Sequence, residues 1–184
     1  MKADRFYEIF EHSFASHIEG LGLKRLAGKS LKLKRADPEL GSLTFAFATN
    51  AKTSGLLPHM PGEFRLRVLW TRGKGGDKRQ NEVSWFQYTT ESENSTFVSL
   101  QKTSLEKLLA QPDKEWLRRI YPCSTPRPNF DQYAYYFDEE DVHNWGRWYG
   151  ELIGVWITRF TQKPESRDDW GWRVLWPHLE RKRK

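Results

Sequence analysis

Apolar residues recur at three- and four-residue steps near the start of the chain: Phe6, Ile9, Phe10, Phe14 and Ile18, with Leu21 continuing the line. That period puts them on one stripe of an amphipathic helix over 5–19. Asp4 stands where an N-cap belongs, and Gly20 and Gly22 suit the left-handed turn that ends a helix. His12 and His17 ride on the same helix. Five positions turn the helix by about 140° beyond a full turn, too far for the two rings to share a metal.

The pattern then changes to period two. Leu31 and Leu33 alternate with Lys32 and Lys34, and Leu43, Phe45 and Phe47 alternate with Thr44, Ala46 and Ala48. With turn residues at 36–39, this predicts a hairpin with one buried face. Over 63–71, Phe64, Leu66, Val68 and Trp70 point one way and Arg65, Arg67, Leu69 and Thr71 the other. A glycine- and lysine-rich loop at 73–79 leads to a returning strand at 83–89, and 97–100 reads as a further strand. The segment 50–62 reads as a long loop, a functional element or a leucine-bearing cap on the core.

The second half reads as mostly helical. Thr103 and Glu106 have capping-box spacing ahead of Leu105, Leu108 and Leu109, and Pro112 suits the opening of a short helix through Ile120. Three prolines make 122–130 a connector, and Tyr133, Tyr135 and Phe137 alternate as a short strand or aromatic lid. Residues 139–160 form the strongest helix, with Val142, Trp145, Trp148, Tyr149, Leu152, Ile153, Trp156, Ile157 and Phe160 as a broad apolar stripe. Gly146, Gly150 and Gly154 fall every fourth residue along it. Each costs about 1 kcal/mol against alanine in a helix, so their line marks a strip where the sheet or the first helix comes close.

These elements predict an α+β fold: an antiparallel sheet of about five strands, with the N-terminal helix and the long C-terminal helix on one face. A length of 184 residues fits a single domain over 1–184, with 161–184 a Trp-rich and basic C-terminal extension that docks on the core or offers an interaction surface. Nine tryptophans argue against a disordered chain, and no apolar run is long enough to span a membrane. The start of the chain has no secretory pattern and there is one cysteine, Cys123, so a cytoplasmic protein without disulfides is expected.

Charge changes the picture. The net charge is +6, but residues 24–79 alone carry thirteen basic and four acidic side chains. A block of that sign attracts an acidic protein face or a nucleic acid; otherwise it is a solvated sheet surface guarded by lysines. The partner-binding residues read from it are Lys32, Lys34, Arg65, Arg67, Lys74, Lys78 and Arg79.

Catalytic chemistry is sparse. Glu140 and His143 share a helix face beside Asp138, Glu139 and Asp141, an arrangement open to a metal or an enzyme site but equally to a helix cap. The glycines at 73–76 lack the full phosphate-loop pattern, and no nucleophile elbow or zinc motif is present. No cofactor is expected. The leading expectation is therefore a non-enzymatic binding protein holding an acidic protein partner. A nucleic-acid binder using the same cations is the alternative, and an enzyme centred on Glu140 and His143 the third.

The first helix, the turn Leu21-Gly22-Leu23-Lys24-Arg25, and Gly28 and Leu31 in a basic strand together resemble a bacterial family of unknown function. The stretch 62–70 and the late Trp-bearing helix are similar to later parts of its pattern. Leu23 stands where that family has phenylalanine. The resemblance implies a helix followed by an antiparallel sheet, a bacterial cytosolic setting near toxin and immunity loci, and an immunity-like role, with no catalytic residues to carry over.

Overall fold

The alternating segments come together as one antiparallel sheet, with the helical segments laid on the face where their aromatics point. The computed structural model describes residues 1–38, 41–49, 62–71, 80–82, 89–110 and 134–162. In chain order they form α1 (Ala3–Ile18), β1 (Lys24–Arg25), β2 (Leu31–Asp37), β3 (Gly41–Thr49), β4 (Gly62–Thr71), β5 (Gln80–Glu82), α2 (Glu91–Leu109), β6 (Ala134–Tyr136) and α3 (Glu139–Gln162). The sheet order is β1-β2-β3-β4-β5, and β6 also pairs with β4. β5 and β6 lie end to end along the edge of β4 away from β3, on Leu69–Thr71 and Gly62–Phe64 respectively.

Side-chain parity does what the alternation predicts. Leu31, Leu33, Leu43, Phe45, Phe47, Phe64, Val68 and Trp70 are all buried, and they meet the apolar stripes of α1 and α3. Phe10 packs on Phe47 at 4.7 Å between ring centroids, Phe64 meets Trp145 edge-on at 5.7 Å, and Trp70 meets Phe160 at 5.4 Å. Each such ring removed from water contributes roughly 1.5–3 kcal/mol, so this aromatic layer is the main attraction between sheet and helices.

α3 packs on α1 through its glycines. A β-carbon on Gly146 would stand 2.8 Å from Ser13 Cβ and 3.0 Å from the Phe10 carbonyl oxygen, and one on Gly150 would stand 2.8 Å from His17 Cβ. Of the two neighbours the glycine strip was expected to meet, the first helix is the one that comes close. Gly20 and Gly22, both at positive φ, then turn the chain from α1 into β1.

α2 differs from its expectation. Residues 97–100 are helical, and the helix starts at Glu91 instead of near Thr103. The capping box is Thr90 with Glu93: the Glu93 N–H donates to Thr90 Oγ1 at 3.3 Å, and the Thr90 N–H donates to Glu93 Oε2 at 2.8 Å. Thr103 sits inside the helix with its hydroxyl donating to the Ser99 carbonyl. A short apolar run such as 97–100 carries no decisive period, and the cap thirteen residues before Thr103 sets the start. α1 also begins two residues early. Its N-cap is Lys2, which makes no side-chain cap, while Asp4 lies in the first turn near the positive end of the helix. β5 occupies Gln80–Glu82, ahead of the expected 83–89.

The expectations at 50–61, 72–79 and 83–88, for the Pro112 helix and the 122–130 connector, for Tyr133, and for the extension beyond Gln162 lie outside the described residues. Thr161 and Gln162 themselves continue α3.

Candidate functional site

Pairing register places the sheet cations. Lys32 pairs with Ala46 and Ala46 with Arg67, so Lys32, Ala46 and Arg67 form one row across β2, β3 and β4. The next row along the outer face is Lys24, Lys34, Thr44 and Leu69, and the row on the other side pairs Ala48 with Arg65. Directly opposed residues of an antiparallel pair share a face. This face is the one opposite the aromatic layer.

Lys24, Lys32, Lys34, Arg65 and Arg67 thus project from a single side of the sheet. They run diagonally from β1 to β4 across a span of about 20 Å, at ~4.8 Å per strand and ~3.4 Å per residue. Lys32, Lys34 and Arg67 are exposed, while Arg65 and the small residues Thr44, Ala46 and Ala48 between the two basic strands are half-buried. The arrangement is a shallow trough: small side chains on β3 form the floor, and long cationic ones on β2 and β4 form the walls.

Of the seven residues read from the sequence, the structure brings Lys32, Lys34, Arg65 and Arg67 to this face, and Lys74, Lys78 and Arg79 lie outside the described residues. Lys24 joins them through the β1–β2 pairing. A two-residue strand has no period of its own, so nothing in the local pattern marked Lys24 out. Not all of the basic block gathers here. Arg25 faces the helix side and its Nε is 2.7 Å from Glu11 Oε1 on α1. Arg35 shares that inner parity.

The outer face carries one aromatic among its described residues, Tyr135, which pairs with Glu63 at the corner. Its strand is anchored from within, because Trp145 Nε1 donates to the Tyr135 carbonyl at 2.8 Å and the Tyr136 ring lies over Gly62.

Glu140 and His143 engage different neighbours. Glu140 Oε2 accepts from Lys107 Nζ at 2.9 Å, and the same ammonium donates to Asp141 Oδ1 at 2.9 Å and to Asp138 at 3.0 Å. Desolvation pulls the Lys107 pKa down, but the bonds to Asp141, Glu140 and Asp138 outweigh it and hold the ammonium above its ordinary value. Asp138 also caps α3, accepting the Asp141 N–H at 2.9 Å, while buried Asp141 accepts the Phe137 N–H at 2.8 Å. His143 Nδ1 is hydrogen-bonded to Ser13 Oγ, whose proton goes to the Ile9 carbonyl. Among the described residues no group of three His, Cys, Asp or Glu side chains is arranged to hold a metal. The acids at this helix start serve as a cap and as the seat for a lysine that ties α2 to α3.

The other end of α2 is fastened by Arg159, which donates to both Glu93 oxygens at 2.7 and 3.0 Å. Burial raises the Glu93 pKa, but the Arg159 bonds and the Thr90 N–H together bring it below the ordinary value.

Among the described residues no helix is long and apolar enough to cross a membrane. No protein-family model, no curated protein and no solved structure matches this chain.

Proposed function

We propose that the protein is a non-enzymatic binding protein that holds an acidic protein partner on the outer face of its sheet. One observation carries the reading. The large aromatics of β3 and β4 are all on the helix side, while five cations share the opposite side over a floor of small residues. A positive surface of this kind raises the association rate with an acidic partner and disfavours basic ones. The resemblance around Leu21–Arg25 supports an immunity-like version of this role in the cytosol, with an acidic toxin as the partner.

Nucleic acid would use the same cations. Sheets that read single strands offer aromatic faces for the bases to stack on. Here the described outer face has only Tyr135, at a corner beside a glutamate, so the protein partner is the better fit.

The test is affinity capture from the native host with the wild type and with a Lys32→Glu/Arg67→Glu variant. Lys102→Glu, at an exposed position of α2, is the control. The expected result is an acidic protein that binds the wild type and the control but is lost from the double variant. Equal recovery by all three proteins would remove the sheet face as the site. Nuclease-sensitive nucleic acid as the sole bound material would replace the reading with its alternative.

A further inference from the structure

Resting on that reading, the structure assigns the shape of the partner: we infer that the trough receives an α-helix carrying acidic side chains along both flanks of a small-residue or apolar strip.

The argument begins with what β3 can offer. β3 is an inner strand, paired with β2 from Leu31↔Phe47 to Asp37↔Gly41 and with β4 from Ser42↔Thr71 to Thr49↔Phe64. Its backbone groups are engaged on both sides, so a peptide strand laid on this face gains no ladder hydrogen bonds. Binding here must run through side chains, and a helix on a sheet is the layer that does this.

The dimensions agree. β2 and β4 flank β3 and stand about 10 Å apart, two strand spacings. A helix with its side chains is about 10–12 Å across. Thr44, Ala46 and Ala48 are short enough to let such a rod approach the sheet, as long aliphatic or aromatic residues at those positions would not. Lys32 and Lys34 then reach one flank of the rod, and Arg65 and Arg67 reach the other. Along β3 the cations run from the Lys34–Thr44 row to the Ala48–Arg65 row, four residues or about 14 Å, which corresponds to roughly nine helical residues at 1.5 Å each. Carboxylates at i and i+3 on one flank, and at i+1 and i+5 on the other, leave an apolar strip at i+2 and i+6 between them and match this two-sided charge.

The inner face shows the same solution already in use. α1 and α3 lie on the aromatic side of the same strands. The outer face is the complementary surface for a second, charged helix layer supplied by another protein.

The experiment uses the full chain and three fluorescent probes, read by anisotropy at about 50 and 200 mM salt. The first is a helical peptide of about 18 residues with glutamates on both flanks of an alanine–leucine strip. The second has the same composition, with the glutamates gathered on one side. The third is an oligothymidylate of matched charge. The proposal expects the two-flank helix to bind at least about tenfold more tightly than the one-side helix, a gap of about 1.4 kcal/mol. Ala46→Trp, which fills the floor and leaves every charge in place, is expected to erase that preference. Circular dichroism and thermal melting establish that this variant is folded, and Ala46→Leu serves as a milder second variant.

Equal affinity for the two peptides overturns the helix-shaped trough while leaving an acidic protein partner standing. Tighter binding of the oligothymidylate than of either peptide overturns both. Failure of every probe to bind removes the underlying reading, and this inference falls with it.

Discussion

Gly150 of α3 lies so close to His17 of α1 that a β-carbon on the glycine would stand 2.8 Å from His17 Cβ. One turn further, the same addition at Gly154 would meet only Leu21 methyl groups at 3.5 Å, an ordinary contact. The two glycines look identical in the sequence and are opposite in consequence. Gly150→Ala is expected to destabilise the fold by about 1–3 kcal/mol, because the helices must separate. Gly154→Ala keeps the contact and gains up to about 1 kcal/mol of helix propensity. Urea unfolding of the two variants reads the difference, and equal behaviour would contradict the α1–α3 packing.

The Glu93–Arg159 pair predicts an acid-sensitive fold. Glu93 and Asp138 both have folded pKa values below their ordinary 4.5 and 3.8. For Asp138, burial opposes the shift, and the Asp141 N–H and Lys107 bonds overcome it. A carboxyl group depressed on folding adds stability above its unfolded pKa and loses it as pH falls through the folded one. Stability should therefore decline as the pH drops below about 4.5. Glu93→Gln is expected to be less stable than wild type at neutral pH and to lose less on acidification, as measured by chemical denaturation at pH 7, 4 and 3.

Lys107 is held by three carboxylates, one of them on buried Asp141. Lys107→Met leaves those charges facing one another without a counter-ion. A cost of about 1–3 kcal/mol is expected at neutral pH, within the range for a lost charged hydrogen bond at a partly exposed site. The loss should shrink on acidification, as the Asp138 carboxylate, which Lys107 helps hold below its ordinary pKa, takes up its proton. A pH-independent loss would mean that packing of the lysine stem, not its charge, ties α2 to α3.

Trp145 is fully buried and donates to the Tyr135 carbonyl. Trp145→Phe keeps most of the ring contacts and removes the donor, for an expected loss of about 1–3 kcal/mol. Trp145→Ala also opens a cavity and should cost about 3–5 kcal/mol. Thermal melts order the two variants, and hydrogen exchange at 134–136 should rise in both.

Lys32 and Lys34 project away from the core, so Lys32→Glu and Lys34→Glu are expected to change stability by less than about 0.5 kcal/mol. Any loss of partner binding in these variants is then a property of the surface. A drop in melting temperature of many degrees would instead give these lysines a structural role.

The sequence by itself determined the elements with long, clean periods. The stripes of α1 and α3 and the alternation in β2, β3 and β4 name their own buried faces, because a side chain's direction follows from its position in the repeat. The same parity already separated Arg65 and Arg67 from the aromatics of β4. α2 is less legible, since its inward positions include the polar residues Asn94, Gln101 and Ser104 and its cap at Thr90 lies far from Leu105, Leu108 and Leu109.

Tertiary structure alone decided which strands are neighbours, and with that the one residue row shared by Lys32, Ala46 and Arg67. It decided that Arg25 turns to Glu11 while Lys24 joins the outer face, and that the acids at the start of α3 close on a lysine 31–34 residues earlier in the chain. Periodicity records the direction of each side chain relative to its own backbone. Register and long-range ion pairs depend on how separate segments align, and they arise only when the aromatic layer draws those segments together.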